Sequence, residues 1–176
     1  MPLEHLWAGW RIAYVTEAAS EATAGTEAPS ESIFTQILAS GRPDVETHIL
    51  WRGEHCFAIL NAFPYTSGHL LVMPYREVGQ LPDLTPTEHD ELWRAVTDAV
   101  RALSNAYQPE GINVGMNLGR AAGAGVPGHL HVHVLPRWNG DTNFMTAVSG
   151  TRVMPENLHA SAARVRAAWP RPAEQP

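Results

Sequence analysis

Intramolecular disulfide chemistry is closed to this chain. Cys56 is its only cysteine, so neither an intramolecular disulfide nor a thiolate zinc cluster can form. The thiol sits in the run His55-Cys56-Phe57-Ala58-Ile59-Leu60, where a buried structural role is expected rather than a reactive one. Long apolar runs are also absent: no segment approaches the roughly 20 residues of a membrane helix. Met1-Pro2-Leu3-Glu4-His5 lacks the basic start and apolar stretch of a signal peptide, so a cytoplasmic protein with no membrane partner is expected. Nor is there an excess of positive charge. Lys and Arg number 12 against 18 Asp and Glu, for a net charge of -6. That balance argues against a nucleic-acid partner, which requires an extended cationic surface. It leaves room for a small anionic ligand in a locally positive pocket.

What is present suffices for one domain with loose ends. The chain has 176 residues, 44% of them hydrophobic, and its 17% charged content is low for a disordered protein. Residues 17–32 (EAASEATAGTEAPSES) are small and acidic and are expected to form a mobile loop after an aromatic segment containing Trp7, Trp10 and Tyr14. The expected division is an N-terminal extension over 1–30, a main domain over 31–145, and a C-terminal helix with a disordered tail over 146–176.

Periodicity predicts an α+β domain. Residues 32–40 read as a short helix, with Ile33, Phe34, Ile37 and Leu38 on one side. Strands are predicted over 47–51 and 56–61, joined by a turn at Arg52-Gly53-Glu54, and over 69–73, stopped by Pro74. Thr85-Pro86-Thr87-Glu88 combines an N-cap, a proline at the first helical position and a capping-box glutamate. Leu92, Val96, Ala99, Val100, Leu103 and Tyr107 then follow at helical spacing, and Pro109 lies just past the end. Two further strands, 111–118 and 129–135, and a last helix over 155–169 complete the pattern. Hairpin-like connections around one long helix indicate an antiparallel sheet rather than a doubly wound one.

The run Gly128-His129-Leu130-His131-Val132-His133-Val134-Leu135-Pro136-Arg137 carries the chemistry. On a strand, His129, His131 and His133 share one face, while Leu130, Val132 and Val134 turn to the core. Three readings fit such a row: a polar face on an edge strand, a zinc or copper site, or a nucleophilic imidazole with neighbours that fix its tautomer. Spacing alone does not separate the last two. Upstream, Gly119-Arg120-Ala121-Ala122-Gly123-Ala124-Gly125-Val126-Pro127-Gly128 is a loop whose amides can approach phosphate oxygens, which favours phosphorus chemistry over a bare metal.

His-x-His-x-His after a glycine-rich loop resembles the signature of the histidine triad superfamily. Phe57 to Asn61, Pro64, Gly68 to Pro74 and Leu84-Thr85 are similar in order and spacing to that family's nucleotide-binding half, so the likeness covers roughly residues 31–140. The extension through Pro136-Arg137-Trp138 and the long N-terminal insertion are most like the actinobacterial diadenosine tetraphosphate phosphorylases.

The resemblance implies an antiparallel sheet of about five strands with helices on one side, in a homodimer joined edge to edge. It implies a nucleotidyl-histidine on His131, contact of His133 with the bridging oxygen or leaving group, and support from His129 and His69. It places Asn61 at the ribose, Asn117 near the phosphates, and Ile33 and Phe34 against the base, with ordinary core packing as their alternative. Gly123 and Gly125 are expected to lend phosphate-binding amides, and Arg137 and Arg120 to supply phosphate charge. The implied partners are purine nucleotides and inorganic phosphate. No tightly bound cofactor is expected, though Mg2+ is expected to accompany the substrate.

Two departures stand out. Gly125-Val126-Pro127-Gly128 occupies the place where many members carry Gln-Ser or Gln-Thr, which removes a side-chain donor. Ser32-Ile33-Phe34-Thr35 stands where some bacterial members have a zinc-binding Cys-x-x-Cys, so zinc is not expected there. A nucleoside phosphoramidate or dinucleoside polyphosphate hydrolase, a nucleotide-binding protein with little catalysis, and a metalloprotein remain the alternatives to a phosphorylase.

Overall fold

Five short strands pair antiparallel throughout: β1 (Ile49–Arg52), β2 (Cys56–Leu60), β3 (Leu70–Pro74), β4 (Gly111–Met116) and β5 (Val132–Arg137). Their spatial order is β1-β2-β3-β5-β4. The helices are α1 (Ile33–Ala39), α2 (Asp44–Thr47), α3 (Pro86–Tyr107) and α4 (Leu158–Ala168). This computed structural model describes residues 31–142 and 154–170, and those from Ser32 onward belong to one compact unit. The expected N-terminal extension, most of the acidic loop, and the tail from residue 171 lie outside the described residues.

Side-chain alternation divides the core between the two faces of the sheet. Cys56, Ala58, Leu60, Leu70, Val72, Val132 and Val134 pack with Leu92, Ala99 and Leu103 of α3 and with Ala162 and Val165 of α4. Their neighbours in sequence, Phe57, Ile59, Leu71 and Met73, turn to the other face and meet Phe34, Ile37 and Leu38 of α1. The sheet is therefore not bare on that side, in contrast to the expectation of helices on one side only. Cys56 is fully buried, and burial pushes its thiol up to about 12, as a structural role requires.

Three predicted boundaries shift for physical reasons. The strand predicted from residue 47 begins at Ile49, because Asp44–Thr47 forms one helical turn after Pro43. The acidic side chains of Asp44 and Glu46 suit that first turn, and His48 then reverses the chain in a left-handed conformation at φ 60°. The last strand, predicted over 129–135, runs from Val132 to Arg137 instead. Its ladder with β3 ends at the pair Val72–Val132, and Pro74 has no N–H to extend it. The Leu130 N–H donates to the Val78 carbonyl 2.6 Å away, outside the sheet. The helix predicted over 155–169 is confined to Leu158–Ala168, with the Asn157 side chain as its N-cap.

The long helix forms as its capping signals indicate. Thr85 Oγ1 accepts from the Glu88 N–H at 3.2 Å, and Glu88 Oε2 accepts from the Thr85 N–H at 2.8 Å. Arg76 grips the same carboxylate with Nε and Nη2 at 2.9 and 2.6 Å, tying the start of α3 to the segment after β3. This guanidinium holds the buried Glu88 carboxyl down to about 2. Because the folded value lies below the ordinary 4.5, the stabilisation is complete above that pH and is lost as pH falls towards 2. Glu88→Gln retains a cap acceptor but not the charge. It is expected to cost about 1 kcal/mol at neutral pH and to flatten the acid limb of the stability curve, as urea unfolding at pH 7 and pH 3 will measure.

Candidate active site

The three histidines of the row lie on the α1 face of the sheet, at the point where β5 begins. His129 is wholly buried and His131 nearly so, while His133 is half-buried on the strand itself, paired with Leu71 on β3 and Gly115 on β4. His131 and His133 meet edge to face with ring centroids 5.0 Å apart. His69, fully buried at the mouth of β3, closes the group at 5.2 Å from His133. Gly68 admits it. At φ +80° this residue has no room for a Cβ, which would lie 2.6 Å from the Tyr107 ring.

Hydrogen bonding fixes the proton positions. His131 Nδ1 lies 2.8 Å from the His129 carbonyl, which can only accept, so Nδ1 carries the proton. In the neutral ring Nε2 is then left with a bare lone pair. His129 Nε2 likewise donates to the Pro74 carbonyl at 2.8 Å, and its Nδ1 accepts from the Ser32 hydroxyl at 2.7 Å. His69 Nδ1 accepts from the Tyr65 N–H at 3.1 Å, which places the His69 proton on Nε2. That proton points at His133 Nδ1, 3.0 Å away, and so leaves the His133 proton on Nε2. His133 Nε2 is buried and has no partner among the described residues. One ring thus offers a lone pair and its neighbour an unused donor.

Burial keeps the row neutral. It depresses His131 below the ordinary histidine value despite the opposing pull of the His129 carbonyl. It depresses His129 as well, against the Pro74 carbonyl and Glu77. For His133, burial and then the proximity of His131 bring the value down to about 4.

The remaining predicted residues divide. Asn61 is at the site: its Oδ1 accepts from the Phe63 N–H, and its Nδ2 approaches His69 Nδ1 at 3.4 Å. Phe34 is buried with its ring 5.5 Å from His129 and 5.6 Å from His131, whereas Ile33 is 51% exposed and outside the core. Asn117 Nδ2 donates to the Gly123 carbonyl at 3.4 Å, binding the end of β4 to the glycine-rich loop.

Two expectations require correction. The Gly123 N–H is turned inward to the Arg120 carbonyl, and that of Ala124 to Gly119, closing a 3-10 turn at Arg120–Ala122. Of the amides at 123–125, only that of Gly125 is without a partner among the described residues. Arg137 is not a free cation either. Its guanidinium makes two bonds to Asp141, at 2.6 and 2.8 Å, and a third to Asn113. It lies four residues along β5 from His133, about 13 Å at strand spacing. Arg120 is exposed at the start of the 3-10 turn.

Sequence reasoning missed the groups that hold the row. Tyr65 stacks on His133 at 6.1 Å and also forms one wall of a cavity of about 740 Å3 bounded by Tyr107, Trp138 and Glu156. None of the four histidines lines that cavity, so the chemistry is assigned to the row rather than to the cavity. Ser32 bonds His129 and is itself held by Thr35 and Glu77. Glu77 Oε1 accepts from the Ser32 N–H at 2.8 Å and from the Thr35 hydroxyl. The Ser32 cap was the one signal available in sequence; nothing local pointed to Glu77.

Residues 42–140 match the HIT domain family. The chain is 40% identical over 169 residues to the AP-4-A phosphorylase of Mycobacterium tuberculosis, covering 96% of this chain and 86% of that protein. It is 35% identical over 97 residues to the asymmetrical bis(5'-nucleosyl)-tetraphosphatase of Schizosaccharomyces pombe, covering 55% of this chain and 53% of that one. Among solved structures, a zinc-bound histidine triad family protein from Mycobacterium smegmatis superposes with a TM-score of 0.63 at 29% identity, covering 78% of this chain and 92% of that one. In the present chain Ser32 and Thr35 offer hydroxyls already bonded to His129 and Glu77, a donor set that does not fit zinc. With the row, its fixed tautomers and these likenesses together, the chain belongs to the histidine triad (HIT domain) family.

Proposed function

We propose that the protein is a dinucleoside polyphosphate phosphorylase that cleaves diadenosine tetraphosphate through a nucleotidyl-histidine on His131. The observation that carries this reading is the pairing of a bare His131 Nε2 with the unpartnered N–H of His133. Likeness to the mycobacterial AP-4-A phosphorylase over nearly the whole chain supports this substrate class and phosphate as the acceptor.

In the first step, His131 Nε2 forms a bond to the α-phosphorus while the bond to the bridging oxygen breaks and ATP leaves. His133 Nε2–H lies beside that oxygen and stabilises the negative charge it gains. A polyphosphate is a weak base, so a hydrogen bond from a neutral imidazole suffices. In the second step an oxygen of inorganic phosphate attacks the same phosphorus, the N–P bond breaks, and ADP is released. His131 returns to its starting tautomer because Nδ1–H never leaves the His129 carbonyl.

In this reading the base lies against Phe34, with Ile33 at the exposed rim, and the ribose hydroxyls meet Asn61. The free amide of Gly125 and the Asn117 side chain serve the phosphates in place of the missing Gln-Ser pair. Mg2+ arrives bound to the substrate. The setting is the cytoplasm, and no described helix is long and apolar enough to cross a membrane. Two chains pair through the outer edge of β4, where Val114 is 44% exposed and β5 occupies only the inner side. A hydrolase that uses water as acceptor is the second reading, supported by likeness to the fission-yeast tetraphosphatase.

Incubation with diadenosine tetraphosphate is expected to give ADP plus ATP only when phosphate is present. AMP plus ATP independent of phosphate would replace this reading with the hydrolase. His131→Ala is expected to lose at least 1000-fold in kcat, on the order of the loss when a nucleophile is removed, and full retained activity would remove His131 from the role. The pH profile supplies a further check. Protonation of His131 fills the Nε2 lone pair, so kcat/KM, which reports the free enzyme, falls on the acid side through a value below the ordinary 6.5. A profile centred at or above 6.5 would contradict a buried nucleophile. Val114→Lys is expected to convert a dimer to a monomer by light scattering, and an unchanged mass would exclude the β4 edge.

A further inference from the structure

Ser32 does more than cap a helix. Its hydroxyl oxygen accepts the Thr35 N–H at a long 3.2 Å, while its proton goes to His129 Nδ1 at 2.7 Å, across 97 residues of sequence. Glu77 Oε1 takes the Ser32 N–H and the Thr35 hydroxyl, so both polar groups in the first turn of α1 are anchored to the segment after β3. The same turn carries Phe34 against His129 and His131.

We infer that Ser32 is a positioning residue for the nucleophile and acts through His129, as the centre of a Ser32–Thr35–Glu77 clasp that docks α1 on the catalytic segment. The inference rests on the function proposed above for its catalytic consequence, but its structural content does not depend on substrate. With Ser32 on one ring nitrogen and the Pro74 carbonyl on the other, the His129 ring can neither flip nor change tautomer without losing both bonds. A ring held at both ends fixes the backbone of its own residue. That backbone includes the carbonyl that holds the proton on His131 Nδ1. Removing the hydroxyl leaves a buried nitrogen without a donor, which the ring relieves by turning or by moving its proton. The His129 carbonyl then drifts, and His131 gains access to the tautomer in which Nε2 carries the proton and is no longer a nucleophile.

The test is long-range proton–nitrogen NMR on ligand-free protein labelled in its histidines, for the wild type, Ser32→Ala, Ser32→Thr and Glu77→Gln. The wild type is expected to show a single His131 tautomer with the proton on Nδ1, and Ser32→Ala a mixture. Steady-state turnover of diadenosine tetraphosphate is expected to fall about tenfold in kcat in Ser32→Ala, with KM within about twofold, as for a small displacement of a reacting group. Ser32→Thr, which keeps the hydroxyl, is expected to restore both. An unchanged His131 tautomer in Ser32→Ala, a changed tautomer with unchanged kcat, or failure of threonine to rescue would each overturn the inference. Should Ser32→Ala not fold, Glu77→Gln decides in the same spectra, with a smaller shift in the same direction expected and no shift fatal. If the wild type cleaves no dinucleotide, the proposed function fails, while the tautomer comparison still decides the role of Ser32.

Discussion

The site depends on one hydrogen bond, the 2.8 Å contact from His131 Nδ1 to the carbonyl of His129. An imidazole has one proton and two nitrogens, and only the nitrogen without the proton can attack. A backbone carbonyl two residues earlier settles that choice without any titratable partner. It is available because β5 starts late. In a strand that began at residue 129 this carbonyl would belong to the ladder, whereas the observed ladder ends at Val132 and frees it for the side chain. In the proposed reaction the shortened strand is part of the chemistry.

The same bond accounts for the charge the site must carry. Burial holds His129, His131 and His133 neutral, which a nucleophile requires. In the proposed reaction, once Nε2 is bonded to phosphorus, the His131 ring retains its Nδ1 proton and becomes cationic. The His129 carbonyl then faces a full positive charge, and a hydrogen bond to a charged donor is about twice as strong as one between neutral groups. The interaction is therefore stronger in the covalent state than in the free enzyme. Differential stabilisation of this kind lowers a barrier, whereas uniform binding does not.

Legibility in the sequence followed the range of each interaction. The α3 capping box involves neighbours, and it was read correctly because Thr85 and Glu88 satisfy each other three residues apart. The strand period separated the histidines from Val132 and Val134, and the structure keeps them on opposite faces. The resemblance placed His69 beside the row, but the hydrogen-bond chain from the Tyr65 N–H through His69 to His133 was not legible, since tertiary structure alone brings those atoms together. Arg137 illustrates the converse error. A cation near a phosphate-binding motif invites assignment to phosphate, yet Asp141 closes a turn on it and neutralises the charge. Gly123 is a similar case, because its amide completes a local turn rather than an anion nest.

Among the described residues the His129 ring is held by hydrogen bonds at both nitrogens. A zinc ion fixes its ligands through bonds that tolerate little angular error, and a hydrogen-bonded substitute must supply comparable constraint with weaker contacts. The present chain does so by multiplying contacts. The His129 ring is bonded at both nitrogens, the hydroxyl that bonds it is also a helix cap, and the carboxylate behind that hydroxyl grips the same turn twice. Each group is held by at least two partners, and the His129 ring keeps its setting only while both of its bonds are made. What such a network cannot do is resist a change of protonation as a metal centre would. Its integrity therefore depends on burial of His129, and burial in turn depends on Phe34 and on the α1 face of the sheet. The apolar cluster around Phe57, Ile59, Leu71 and Met73 thus does chemical as well as structural service, by keeping water away from a ring that must stay neutral.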